Sequence, residues 1–118
     1  REFDFGAWDG MRFDDVAKRD PELSRAFWEA PGDVAAPNGE SWNDVSARVS
    51  ACVDSLHQRH TGRDIVIVAH IGVIMTQLQI ASDMTASEVL AHRIDNLSVT
   101  RLDFADGRWS VAAINHQP

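Results

Sequence analysis

The spacing of apolar positions predicts one long amphipathic helix in the middle of the chain. Six apolar residues recur there at helical spacing: Trp42, Val45, Val49, Cys52, Val53 and Leu56. Ser41 precedes them and forms an S-x-x-D capping box with Asp44, and Thr61 and Gly62 follow the last turn. The helix is therefore predicted to begin just after Ser41.

Two shorter helices are predicted ahead of it, over the segments FDDVAKR and PELSRAFWEA. Asp20 is placed to cap the second of these, and Pro21 takes its first position, where a missing N–H costs nothing. Residues 1–10 and 31–40 hold aromatic residues, glycines and prolines without a helical period, so we expect loops there.

The run IVIV at residues 65–68 is apolar on both faces, which is typical of a strand buried inside a parallel sheet. A buried helix is predicted directly after it, over residues 72–81, and a capping box of Thr85 and Glu88 starts another.

Alternating apolar and polar residues flank Asp106 and Gly107, a pair that favours a two-residue hairpin turn. Helices, a buried strand and a closing hairpin together predict an α/β fold.

Composition narrows the class of protein. The chain has 118 residues, enough for one modest domain, and its net charge is 11 − 18 = −7 without a basic cluster. Nucleic acid and anionic membranes are therefore poor partners.

A single cysteine, Cys52, fits a reducing cytoplasm. The opening residues, REFDFGAWDG, contain no signal peptide and no initiator Met, so we expect the chain to begin inside a longer sequence.

His70 stands where the predicted strand gives way to the predicted helix. In an open parallel sheet ligands bind outside the carboxyl ends of the strands, where helix N-termini favour anions. The amides of Ile71 and Gly72 with the His70 imidazole would suit a phosphate group. The alternative is a core histidine with one ring nitrogen bonded to a backbone carbonyl.

Three motifs occur in order along the chain: REFDFGAWDG, then PNGES, then VIVAHIGVI. Together they resemble the histidine phosphatase superfamily, in which L-x-E-x-x-F-G-x-W-E-G precedes P-x-G-E-S and V-S-H-G-G-V. The closing segment NLSVTRLDFADGRWSVAAIN is similar to that family's final hairpin. The form of the first motif, D-F-G-x-W-[DE]-G, and the short intervals between the motifs are most similar to the small monoester phosphatases, such as α-ribazole phosphatase, rather than to the longer mutases.

The resemblance implies a two-step phosphoryl transfer through a phosphohistidine, without a metal or other cofactor. His70 matches the second histidine of the family's site, and Glu2 matches its general acid/base. The Ile71 amide would bind a phosphoryl oxygen, and Phe5 or Trp8 would wall the substrate pocket.

A physical argument supports Glu2 independently. Phe3 and Phe5 flank its carboxyl group, and loss of solvation there would favour the protonated form that can donate a proton. The alternative is a solvated glutamate in a terminal loop that binds nothing.

The family's R-H-G motif, which carries the nucleophile, is absent from the chain. We therefore interpret residues 1–118 as the C-terminal part of one domain, a three-layer α/β/α sandwich lacking its N-terminal strand and helices. The block 65–68 would then expose an apolar edge, which predicts either a homodimer or pairing with the missing N-terminal segment. The chain alone is predicted to be inactive.

Other interpretations stay open on sequence alone. A non-catalytic remnant that binds a phosphorylated ligand or a protein partner is the first alternative, and a phosphoglycerate mutase is the second. Glu40 and Ser41 are predicted to have structural rather than catalytic roles. His57 and His60 lie three residues apart without an evident third metal ligand. The identity of the phosphate ester is not encoded in a readable motif.

Overall fold

The structure is a computed structural model that describes all residues, 1–118. A short 3-10 turn at Gly6–Trp8 precedes the first helix. Five helices and two strands follow in this order: α1 (Phe13–Arg19), α2 (Pro21–Glu29), α3 (Trp42–Arg59), α4 (Ile71–Ser82), α5 (Ala86–Leu90), β1 (Val99–Ala105) and β2 (Arg108–His116).

Local sequence signals determine where the helices begin. Ser41 accepts the Asp44 N–H at 3.0 Å, and the Asp44 carboxylate accepts the Ser41 N–H at 2.9 Å, so the predicted capping box of α3 is confirmed. Thr85 and Glu88 form the same reciprocal pair at the start of α5. Pro21 occupies the first turn of α2, as predicted, but the Asp20 side chain accepts no N–H of that helix and instead accepts the Trp8 indole N–H at 2.8 Å.

The two strands form an antiparallel hairpin. Asp106 and Gly107 both have positive φ, 53° and 76°, which matches the two-residue turn that their sequence predicts. Phe104 and Trp109 lie opposite each other in the register, and the hairpin packs against α4.

The core lies between the N-terminal loop, α2, α3 and α4. Phe3 packs against Trp42 with ring centroids 5.7 Å apart and against Phe27 at 6.5 Å, while Leu78 of α4 is fully buried. The apolar stripe of α3 is buried only in its first half: Val45 is fully buried, but Cys52 is exposed. Val53 and Leu56 farther along the helix are half-buried, and the predicted helix itself is confirmed.

The predicted parallel sheet is not present among residues 1–118, whose only sheet is the hairpin. The block 65–68 forms no strand, and Val66 and Val68 are 90% and 97% exposed instead of buried. The prediction of a buried strand at residues 65–68 is therefore wrong for this chain, because a buried strand needs neighbours on both edges and residues 1–118 supply none. The three-layer sandwich therefore stays a prediction.

No helix of the structure combines the length and the apolar character needed to cross a membrane.

Candidate active site

The carboxylate of Glu2 lies at the N-terminus of α4. Its Oε2 accepts the Gly72 N–H at 2.9 Å, and its Oε1 accepts the Val73 N–H at 3.2 Å and the Phe3 N–H at 3.0 Å. Helix α4 has no capping side chain of its own at His70. A residue from the start of the chain thus caps this helix and satisfies two amides that would otherwise lack an acceptor.

Gly72 is required for this close approach. A Cβ at this position would lie 2.5 Å from Glu2 Oε1 and 2.6 Å from Phe3 Cδ2. Both distances are shorter than any real contact, so a side chain here would displace the carboxylate.

His70 immediately precedes α4 in extended conformation, with φ −109° and ψ 163°. The residue is exposed, and neither ring nitrogen forms a hydrogen bond within the chain. The alternative of a core histidine bonded to a backbone carbonyl is therefore wrong. The Ile71 N–H, at the first position of the helix, also donates to no protein acceptor. His70 and the unpaired Ile71 N–H thus both belong to the helix end that Glu2 caps.

Glu40 and Arg48 fix the segment that carries Glu2. Arg48 Nε donates to Glu40 Oε2 at 2.8 Å and its Nη2 donates to Oε1 at 3.0 Å, a bidentate pair. The same guanidinium donates to the backbone carbonyl of Arg1 at 3.2 Å and to that of Glu2 at 3.3 Å. The hydrogen bond from Arg48 holds the pKa of Glu40 below its ordinary value, although partial burial opposes this.

A second set of bonds ties the same segment to the loop 31–40. The Asp4 N–H donates to Glu40 Oε1 at 3.0 Å, and the Glu40 N–H donates to the Asp4 carbonyl at 2.7 Å. A Cβ at Gly39 would lie 2.6 Å from the Asp4 carbonyl oxygen, so the two backbones can meet only at a glycine. The prediction that Glu40 is architectural agrees with these contacts.

Phe5 and Trp8, predicted to wall the substrate pocket, both line a groove beside α1 and α2. Phe5 stacks on Phe3 with centroids 5.6 Å apart. Trp8 is buried and its indole N–H donates to Asp20 Oδ2 at 2.8 Å. Trp8 is thus almost closed to a ligand, whereas Phe5 is half-buried.

Sequence reasoning missed the role of Arg48. Its guanidinium pairs with Glu40, a contact that no sequence motif indicates. Arg93 is likewise paired with Asp95. Glu40 lies eight positions before Arg48, at the end of the loop 31–40. Such a pair has no characteristic sequence spacing, so the sequence alone could not have predicted it.

The remaining titratable side chains form no second candidate site. The chain contains no group of three or more side chains arranged to hold a metal ion. His57 packs against Phe104, with ring centroids 4.4 Å apart, and against Trp109 at 5.4 Å. This histidine belongs to the junction between α3 and the hairpin.

Comparison with known proteins identifies the family. The family model described as histidine phosphatase superfamily (branch 1) matches residues 1–117. The chain belongs to this superfamily. The resemblance inferred from the three sequence motifs is thereby confirmed.

Among solved structures, this histidine phosphatase chain is similar to Bacillus stearothermophilus YhfR, with a TM-score of 0.90 and 29% identity over 100% of the chain and 59% of that protein. The α-ribazole phosphatase of Shigella flexneri has a TM-score of 0.77 and 23% identity, covering 98% of the chain and 56% of that protein. The second likeness shows the fold alone. The fold is α/β and phosphoglycerate-mutase-like.

Two relatives found by sequence comparison show which kinds of protein this chain is similar to. "Bifunctional protein Rv2228c" of Mycobacterium tuberculosis is 36% identical over 97% of the chain and 31% of its own length. "Phosphoserine phosphatase 1" of Hydrogenobacter thermophilus is 26% identical over 97% of the chain and 54% of its own length. The chain thus spans about a third to about half of the length of these two relatives.

Proposed function

We propose that residues 1–118 form the acid/base half of an enzyme that hydrolyses small phosphate monoesters through a phosphohistidine intermediate. One observation carries the proposal: the Glu2 carboxylate caps α4, the helix that begins directly after His70 and whose first N–H, that of Ile71, has no protein acceptor. Membership of the superfamily, which includes named phosphatases, supports it. A cytoplasmic location fits the single cysteine, Cys52.

Each step of the reaction gives these groups a role. A nucleophilic histidine forms a P–N bond as the P–O bond to the leaving group breaks, and Glu2 donates a proton to that leaving oxygen. Water then attacks phosphorus and gives its proton to Glu2, and the P–N bond breaks to release phosphate. His70 and the Ile71 N–H bind non-bridging oxygens throughout, so no metal takes part in the scheme.

The hydrogen bonds of Glu2 leave room for this role. An ionised carboxylate offers about four acceptor positions. Three backbone N–H groups occupy three of them. One position is therefore free to exchange a proton with a substrate oxygen or with water while the other three keep the carboxylate in place.

We also propose that the nucleophile comes from a polypeptide segment that pairs with residues 65–68. The exposed IVIV run supports this, because such β-branched residues bury well between neighbouring strands. The radius of gyration, 15.2 Å, exceeds the roughly 13.5 Å of a compact domain of this length. The relatives are also two to three times longer than the chain.

The test is turnover of p-nitrophenyl phosphate in the presence of EDTA. We would compare the 118-residue chain with a longer natural sequence that contains an R-H-G motif upstream. Turnover is expected only from the longer protein. There, Glu2→Gln should lower kcat by about 100- to 10,000-fold and His70→Ala by a similar factor.

Matched controls are Glu22→Gln and His60→Ala, which change exposed residues of the same types. Both should retain full turnover. Absence of turnover from the longer protein, together with retained binding of inorganic phosphate, would instead support a non-catalytic remnant that binds a phosphorylated ligand. Transfer of the phosphoryl group to a second hydroxyl, seen by product analysis, would indicate a mutase.

A further inference from the structure

The side chain of Arg48 reaches the peptide groups that carry Glu2. Its Nη1 donates to the Arg1 carbonyl at 3.2 Å, and its Nη2 donates to the Glu2 carbonyl at 3.3 Å. Residues 1–5 belong to no helix or strand. The position of the Glu2 backbone therefore depends on contacts from other parts of the chain, and Arg48 supplies two of them.

Glu40 fixes the guanidinium and also holds the chain beyond Glu2. It accepts two N–H groups of Arg48, and the two side chains are only 16% and 29% exposed. Its Oε1 also accepts the Asp4 N–H, and its own N–H donates to the Asp4 carbonyl. This one ion pair therefore holds the backbone at Glu2 and on both sides of it.

Arg48 is a suitable anchor because α3 is bonded to α4, the helix that the carboxylate caps. The Trp42 indole N–H donates to Gln79 Oε1 at 2.6 Å, and Gln77 Nε2 donates to Ser50 Oγ at 3.2 Å. These two bonds lie before and after Arg48 along α3. The guanidinium therefore holds the first loop against a frame that already includes α4.

Packing of the Phe3 ring cannot supply the same orientation. The ring is buried against Trp42 and Phe27, but hydrophobic contact is non-directional. Hydrogen bonds weaken steeply as their angle changes, so the bonds from Arg48 fix the direction of the peptide groups. Without them, we expect the segment to stay in the core while the Glu2 carboxylate loses its fixed orientation.

We propose that Arg48 is a positioning residue for the reaction: by holding the peptide groups of Arg1 and Glu2, it keeps the Glu2 carboxylate aligned for proton transfer to the leaving oxygen. The inference rests on the proposed phosphatase function. Four of the five N–H groups of a guanidinium are used here within the chain, so Arg48 is assigned no contact with the phosphoryl group.

The test compares kcat/KM for phenyl phosphate and p-nitrophenyl phosphate in Arg48→Met, made in the longer natural protein that carries residues 1–118. This constant reports the steps up to transfer of the phosphoryl group to the nucleophile. Phenolate, whose conjugate acid has a pKa of about 10, needs a proton donor more than p-nitrophenolate does. The loss should be about 100-fold for phenyl phosphate and about tenfold or less for p-nitrophenyl phosphate. Inhibition by inorganic phosphate should be unchanged.

Arg48→Lys is the second variant, and it keeps the positive charge in case Arg48→Met does not fold. Lysine cannot form the bidentate pair, so the same dependence on the leaving group is expected with a smaller loss, about tenfold for phenyl phosphate.

Two controls separate positioning from stability. Val89→Ala removes a fully buried side chain from α5 and should lower the urea midpoint without changing the ratio of the two kcat/KM values. Arg25→Met removes an exposed arginine and should change neither.

An equal loss for both esters in the Arg48 variants, or no loss, would overturn the inference while the phosphatase function stands. Weaker inhibition by inorganic phosphate would also overturn it, because Arg48 would then act on the phosphoryl group. If the natural protein hydrolyses neither ester, the proposed function fails and the inference fails with it.

Hydrogen exchange provides a readout that needs no turnover. The Gly72 N–H is bonded to Glu2, whereas the Asp44 N–H at the start of α3 is bonded to Ser41. Arg48→Met should accelerate exchange at Gly72 by about tenfold relative to Asp44, because only the first of these caps is loosened. Equal acceleration at both amides would indicate general destabilisation and would contradict the positioning role.

Discussion

The Glu2 carboxylate accepts the N–H of Gly72 at 2.9 Å, across 70 positions of sequence. This bond joins the first loop of the chain to the helix that follows His70. It places a candidate proton donor, an imidazole and a free amide at one helix end. The proposed chemistry depends on that contact, and the bonds that hold it can be tested individually.

Substitution of Gly72 by alanine should displace Glu2. In an unobstructed helix, alanine would stabilise by about 1 kcal/mol relative to glycine. Here the new methyl group would lie 2.5 Å from Glu2 Oε1. We expect Gly72→Ala to lower kcat of the active protein by about 100-fold, because misplacement by about 1 Å has that effect.

Gly32→Ala is the control for that substitution. Its Cβ would meet nothing closer than the Asn43 side chain, at 3.8 Å. Normal kcat is expected for this variant. Normal kcat in Gly72→Ala as well would contradict the assignment of Glu2 to the reaction.

Removal of the Arg48 guanidinium should loosen the segment that carries Glu2. Arg48→Met leaves the partly buried Glu40 carboxylate without its bidentate partner, and two carbonyls lose a donor. Urea denaturation should show a loss of about 1–3 kcal/mol in the free energy of unfolding. The exposed pair of Arg25 and Glu29, 3.9 Å apart, is the control, and Arg25→Met should cost less than about 0.5 kcal/mol.

The contribution of Glu40 should disappear in acid. Its pKa is lowered in the folded protein, chiefly by the hydrogen bond from Arg48, relative to an ordinary value of 4.5. A lowered folded-state pKa stabilises the protein fully above the unfolded-state pKa, and this is lost as pH falls through the folded-state value.

The measurement is the unfolding free energy of the natural protein and of Glu40→Gln as a function of pH. The two curves should be separated by a constant amount above about pH 5 and should converge below 4.5. Curves that stay parallel down to strongly acid pH would show that the charge of Glu40 is not involved.

The exposed run at residues 65–68 should make the isolated 118-residue chain self-associate. Val66 and Val68 are almost fully exposed, and unpaired apolar segments of this kind associate edge to edge. Light scattering should show an apparent mass that rises with concentration, and Val68→Asp should suppress the rise. Leu97→Asp, at an isolated residue that is 93% exposed, should not. A monomer at all concentrations would argue against pairing through this run.

Signals that act over a few residues predicted structure well. The capping boxes at Ser41 and Thr85 and the turn at Asp106 were readable because each partner lies within three or four positions. The family motifs likewise singled out Glu2 and His70 as candidate site residues. Their meeting at one helix end, however, is a property of the fold.

Long-range relationships were harder to predict. The run at 65–68 has the composition of a buried strand, but its environment depends on neighbouring strands that the chain does not contain. Phe5 and Trp8 line one groove, and their role as walls of a substrate pocket stays a prediction.

The cap that Glu2 provides to α4 has a consequence for reading the evolution of this superfamily. Selection for a well-formed helix favours an oxygen acceptor at this position whether or not any ester is cleaved. A descendant that has abandoned turnover would thus retain the glutamate, or exchange it for glutamine, long after its imidazole had drifted. The presence of Glu2 alone therefore says nothing about turnover, because the helix needs an acceptor at this position in either case.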